Sequence, residues 1–208
     1  MSHKFVSNKD KPVRIFENEF LESLTKVHFS IPLIIYIPII LYFIYKSIFD
    51  FELSSIIIIS LYFGGLIFWT LFEYLMHRFV FHFEPKSKFG KRAHFIFHGV
   101  HHDYPKDSMR LVMPPIASLT FSAIIFSIFW MFMPEKFIYA FFSGFWTGYL
   151  FYDIGHFAMH HFNINNKYWL KIKKNHMLHH YKDEHHGFGV SMPFWDKIFN
   201  TGFGKDEK

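Results

Sequence analysis

Apolar positions in this chain are massed into four blocks, at about 29–49, 53–75, 113–133 and 137–157, with polar stretches between them. Each block is about the 20 residues that a helix rising 1.5 Å per residue needs to cross roughly 30 Å of hydrocarbon. The joins KSIFDFEL and MPEKF are short, so the blocks pair into two helical hairpins. The pattern predicts an all-α integral membrane protein with four transmembrane helices. An N-terminal tail over 1–28 precedes a single domain over 29–208, whose polar segments at 76–112 and 158–203 lie beyond the hairpins.

Composition agrees with a lipid solvent: 51% of residues are hydrophobic, 31 are Phe and 19% are charged. The net charge of +5 raises nucleic acid as a partner. It is excluded because Lys and Arg lie between the apolar blocks and no nucleic-acid motif accompanies them. Of 22 Lys and Arg, only Lys46 and Lys136 fall in the hairpin joins, so the positive-inside rule makes both termini and the middle connection cytoplasmic. With no cysteine, thiolate ligands and disulfides are ruled out. No apolar stretch precedes Phe29, so no cleavable signal peptide is expected, and the final KDEK lacks the Leu of a retention signal. Pro32 and Pro38 read as tolerated kinks, and Gly144 with Gly148 as a point of close helix approach.

Histidine is where the chemistry gathers. HRFVFH carries His77 and His82, HGVHH carries His98, His101 and His102, YDIGHFAMHH carries His156 and His160, and HMLHH carries His176, His179 and His180. Counting from the outer turns brings the span-borne histidines to the cytoplasmic membrane face, where the other segments can fold back. Positions i, i+3 and i+4 lie within about 100° of arc, so each HxxHH triplet presents three nitrogens to one side of a helix. His77 and His82 are about 140° apart on an ideal helix. Either that helix deforms between them or they serve different metals; the second is preferred. His3, His28, His94, His161, His185 and His186 are read as ordinary hydrogen-bonded side chains.

Ten clustered neutral imidazoles leave many donors and acceptors needing partners, and cations supply them. Nitrogen-only ligation suits iron, copper, zinc or nickel and disfavours calcium and magnesium. Ten ligands exceed one structural zinc and divide as about five for each of two ions, leaving room at octahedral iron for oxygen or water. Zinc could occupy such a site in purified protein but has no redox chemistry. Asp153 is the best candidate for orienting imidazoles; Glu73, Asp103, Asp183 and Glu184 could be solvated surface charges, the last two especially.

Together with FHGVHHDYPKDSMRLVMPP and HMLHHYKDEHHGFGVSMPFWDKIFNTGF, these motifs make residues 70–203 resemble the membrane-bound fatty acid hydroxylase superfamily, relatives of sterol desaturases. Within it the resemblance is nearest to the fatty acid 2-hydroxylases of sphingolipids, lacking the N-terminal cytochrome domain of many relatives. It implies a dimetal centre of two iron ions on the ten histidines, which uses O2 to hydroxylate C2 of an acyl chain. It also implies Tyr152 and Asp153 near a membrane-lipid substrate, and electrons from a separate donor of cytochrome or ferredoxin type. Attack on an unactivated C–H bond independently requires a metal oxidant, and C2 lies beside the head group at the depth of the histidines. Desaturation, or hydroxylation of a sterol or carotenoid, is the alternative; a metal transporter or a zinc-stabilised structural protein is weaker, because the spans hold almost no ionisable residues at mid-depth. The Phe, Ile, Lys and Asn usage favours a bacterial inner membrane, or the endoplasmic reticulum in a eukaryotic cell.

Overall fold

A computed structural model describes residues 5–204; His3 and the KDEK terminus fall outside the described residues. Among these there is no β-strand. A short helix α1 (Glu19–Leu24), capped by the Asn18 side chain, precedes α2 (Ser30–Tyr45), which ends in a π turn over Lys46–Asp50. Next come α3 (Ser55–Met76) with a π turn over His77–Phe81, then α4 (Lys88–His94), a π turn over Phe95–Gly99 and α5 (Val100–Asp103). The chain continues through α6 (Pro115–Trp130), α7 (Glu135–His161), α8 (Lys167–Tyr181) and α9 (Phe194–Ile198). Pro32 falls in the first turn of α2, where its missing N–H costs nothing, and the helix continues through Pro38.

Among the described residues two helices are long and apolar enough to cross a bilayer, Ser30–Asp50 and Ser55–Phe81, and only 22% and 11% of their most apolar stretches are buried. Water would not tolerate that much exposed Ile, Leu and Phe, so this is a membrane protein. The other two expected spans differ from the sequence reading. The third shortens to 16 residues in α6: Pro114 and Pro115 start the helix later than the apolar block begins, and it stops at Trp130, before the block ends. The fourth, α7, is 27 residues long, but its Tyr, Trp, Gly and Ser dilute its hydropathy.

Those residues make α7 the axis of the fold. It packs against α2, α3 and α6, with Phe142, Phe145, Trp146 and Tyr149 buried in an aromatic core that also takes in Tyr36 and Trp69. The α3–α7 contact depends on absent side chains: a Cβ at Gly144 would strike the Tyr62 carbonyl, one at Gly65 the Phe141 carbonyl, and one at Gly148 the Trp69 ring. Close helix approach at Gly144 and Gly148 is therefore observed, with Gly65 as the partner on α3. A Tyr36–Ser122 hydroxyl contact of 2.9 Å ties α2 to α6.

Residues 6–28 do not trail away from the domain. They form a strap across the segment before α6: Val6 and Ser7 donate to the Asp103 carbonyl, Val13 to the Asp107 carboxylate and Val27 to the Met109 carbonyl.

Candidate metal centre

The helix ends opposite the two hairpin joins collect all ten motif histidines into two groups of five. One holds His77, His82, His98, His102 and His179, the other His101, His156, His160, His176 and His180; within each group the candidate ligand nitrogens lie within 4.8 Å of one another. Nine of the ten are buried. The groups adjoin, with the His102 and His180 rings stacked 4.3 Å apart.

Local backbone explains the sorting. His77 and His82 do not serve separate groups, contrary to the preference drawn from an ideal helix. The π turn bonds the His82 N–H to the His77 carbonyl, adding a residue to the turn, and brings the two Nε2 atoms to 3.2 Å. The HxxHH triplets are divided instead. His98 and His102 join the first group while His101 turns to the second, and on α8 His179 joins the first while His176 and His180 join the second.

In the first group the hydrogen bonds cannot be satisfied by imidazoles alone. His77 and His179 donate their Nδ1–H to the carbonyls of Phe188 and His186, each at 2.7 Å, so their Nε2 atoms carry lone pairs. Both face His82 Nε2, at 3.2 and 3.0 Å, and His98 Nε2 is 3.1 Å from His82 as well. One N–H on His82 could serve only one of these three neighbours. In the second group, His101 Nε2, His156 Nε2 and both nitrogens of His180 are buried without a partner among the described residues. A cation answers both deficits. Nitrogens about 3.0 Å apart are spaced as neighbouring ligands at right angles around an ion with bonds of about 2.1 Å. Burial, followed by the repulsion of neighbouring imidazoles, pushes the pKa values of His98, His101, His176, His179 and His180 well down, which keeps their lone pairs available to metal.

Asp153 does not hydrogen-bond an imidazole: its oxygens accept from the Met113 N–H at 3.2 Å and the Tyr149 hydroxyl at 3.0 Å. The orienting groups are backbone carbonyls, which sequence reasoning missed. Asp196 holds their loop by accepting from the N–H groups of Phe188 and Gly189, both at 2.9 Å, and from Thr201. Gly187 bends that loop at a φ of 76°. On its far side, Ser191 donates its N–H to Glu73 at 2.8 Å, and its hydroxyl also bonds that carboxylate. The GFGV…FWD run was the available signal, since it contains both the loop and its anchor. Glu184, read as a surface charge, lies 3.8 Å from His102 Nδ1 and is partly buried. Asp183 holds His185 and His186 instead, His28 bonds Ser30, and His161 stacks on Phe157 outside both groups. His94 Nε2 and His161 Nε2 are buried without a partner among the described residues, so the ordinary hydrogen-bonded reading fits neither.

Two cavities meet beside the histidines. An apolar one of about 520 Å³, including its mouth, runs between α3, α6 and α7 past Phe72, Phe121, Ile125 and Phe145. The second, about 730 Å³ including the open space at its mouth, is bounded by His98, His101 and His156, by Asp153 and Arg110, and by Ile15 and Thr25 of the strap. Phe81, Met113 and Tyr152 line both. Tyr152 thus stands where the two cavities adjoin, and Asp153 lines the second.

A helical membrane protein with paired five-histidine groups suited to metal is the class that this fold and site define. The chain belongs to the fatty acid hydroxylase family, whose profile matches residues 62–201, and is an oxidoreductase. It is 34% identical over 200 residues to the dihydroceramide fatty acyl 2-hydroxylase FAH1 of Arabidopsis thaliana, covering 96% of this chain and 83% of that protein. It is 37% identical to the ceramide very long chain fatty acid hydroxylase SCS7 of Saccharomyces cerevisiae, covering 90% of this chain but 49% of the yeast protein. Among solved structures it resembles full-length scs7p, in which only the hydroxylase domain is visible, with a TM-score of 0.86 and 37% identity over 92% of this chain and 72% of that one.

Proposed function

We propose that this protein is an O2-dependent di-iron hydroxylase that inserts oxygen at C2 of a fatty acyl chain, the N-acyl chain of a sphingolipid such as ceramide. The observation that carries the reading is the junction of the two cavities against the histidine groups. The apolar cavity suits an acyl tail, the second suits a polar head, and the carbon between them would sit by Phe81, Met113 and Tyr152. The names of the plant and yeast relatives point to the same substrate class.

His77, His82, His98, His102 and His179 would hold one ion, and His101, His156, His160, His176 and His180 the other. Bound iron would supply the O2 activation needed to break an unactivated C–H bond, one oxygen atom entering the product and the other leaving as water. Two electrons come from a separate donor of cytochrome or ferredoxin type. The residues do the placing: apolar side chains exclude water from the tail, Tyr152 and Asp153 border the substrate, and the Phe188 and His186 carbonyls keep His77 and His179 in the tautomer that offers Nε2. In this reading α6 and α7 also cross the membrane, residues 29–208 act as one hydroxylase domain, and the histidine end faces the cytoplasm of a bacterial cell.

Expression beside a His176→Ala variant in a sphingolipid-containing host tests the proposal by lipid mass. Gain of one oxygen at acyl C2 in the wild type alone is expected. Loss of two hydrogens would replace hydroxylation with desaturation, and unchanged lipids in both strains would refute the reading.

A further inference from the structure

Arg110 lines the second cavity without bonding any histidine of the metal centre. Its side chain is 3% exposed, with Nη1 donating to Asp107 at 2.9 Å and Nη2 to Glu22 at 2.5 Å. The third kind of donor on the guanidinium, Nε–H, is buried with no partner among the described residues, and the side chain lines the cavity. Leaving such a donor unpaired is costly, so a ligand oxygen is the expected remedy.

The chemistry of that ligand follows from what already surrounds the guanidinium. Glu22 and Asp107 are each 2% exposed, and together they place two carboxylates on one cation. Lys26 meets Glu22 at 3.1 Å from the solvent side. Burial alone would raise Glu22, but the N–H groups of Ile15 and Phe16, with Lys26 and Arg110, bring its pKa down to about 2, so it is ionised. The positive charge of Arg110 is therefore already matched, and an incoming carboxylate or phosphate would meet Glu22 and Asp107 close behind it. A neutral oxygen needs only the donor. Asp153, on the same cavity wall, offers an acceptor for an N–H or O–H.

We propose that Arg110 Nε–H, held in place by Glu22 and Asp107, binds a neutral amide or hydroxyl oxygen of the lipid head, so that the site selects N-acyl amides over free fatty acids. The inference rests on the hydroxylase reading and deepens it. It gives the strap a role, because Ile15 and Thr25 line the head-group cavity while Glu22, behind that wall, pairs with Arg110.

Full-length, metal-loaded protein in matched detergent micelles is titrated with N-palmitoyl sphingosine or palmitate, and apparent Kd is read from the ligand-induced rise in melting temperature. Wild type should bind the amide at least about tenfold more tightly than the carboxylate. Arg110→Lys keeps the charge but loses the Nε donor, and should weaken amide binding about tenfold. Glu22→Gln removes one opposing charge and should narrow the preference by improving palmitate binding about fivefold. Equal affinity for the two lipids in wild type, or an unchanged amide Kd in a folded Arg110→Lys, overturns the inference. If Arg110→Lys shows no cooperative melt, the wild-type and Glu22→Gln comparisons decide alone. Hydroxylation of both lipids with equal efficiency would leave the hydroxylase reading standing and remove this one; neither binding nor product from either lipid would remove both.

Discussion

His77 and His82 stand five residues apart, yet their Nε2 atoms are 3.2 Å from each other, because the helix between them has widened by one residue. Both belong to the first histidine group, whereas His156 belongs to the second. Alanine at His82 should therefore lower bound metal from two ions toward one, and alanine at His156 should do the same at the other group. Elemental analysis of purified protein checks this; full occupancy in either variant would contradict the division into two groups of five.

Asp196→Asn removes the charged anchor of the loop whose carbonyls fix His77 and His179. Groups supporting metal-bound histidines typically contribute 10–100-fold in affinity or activity. A loss of about that size in hydroxylated lipid, with a folded and extractable protein, is expected. Unchanged turnover would mean that the loop holds itself without Asp196.

At Gly144 a methyl group would meet the Tyr62 carbonyl. Gly144→Ala should force α3 and α7 apart and destabilise the protein by about 1–3 kcal/mol or more, as overpacking does elsewhere. Gly64→Ala, which meets nothing within 4 Å, is the control. Thermal melting in one detergent should separate the two.

Ile125 lines the apolar cavity from α6. Ile125→Trp fills part of it, so product should shift toward shorter acyl chains when mixed chain lengths are supplied. An unchanged chain-length profile would indicate that the tail lies elsewhere.

The carboxyl of Glu22 has a folded pKa of about 2 against an ordinary 4.5. A depressed carboxylate contributes stability that is present above the unfolded value and is lost as pH falls through the folded one. Wild type should melt above Glu22→Gln at neutral pH, and the gap should close between about pH 4.5 and 2. A gap that persists at the acid end would assign the effect to packing.

The apolar blocks and the ten histidines were legible because both signals are local: a block needs only its length, and a motif only its spacing. What escaped was set by backbone irregularity and by distant partners. An ideal 3.6-residue helix separates His77 from His82, and no count of spacings reveals a π turn. Asp153 stands three residues before His156, which suggested a bond between them, but tertiary packing offered it Met113 and Tyr149 instead. The strap looked like a polar tail because its buried members, Ile15, Glu22 and Val27, follow no helical or strand period.

The division of HMLHH between the groups has a mechanical side. His179 reaches one way from α8 while His176 and His180 reach the other, so this helix is a common spindle for both. No turn of it can loosen one set of nitrogens while leaving the other at rest, and the two halves of the centre must tighten or slacken as a pair.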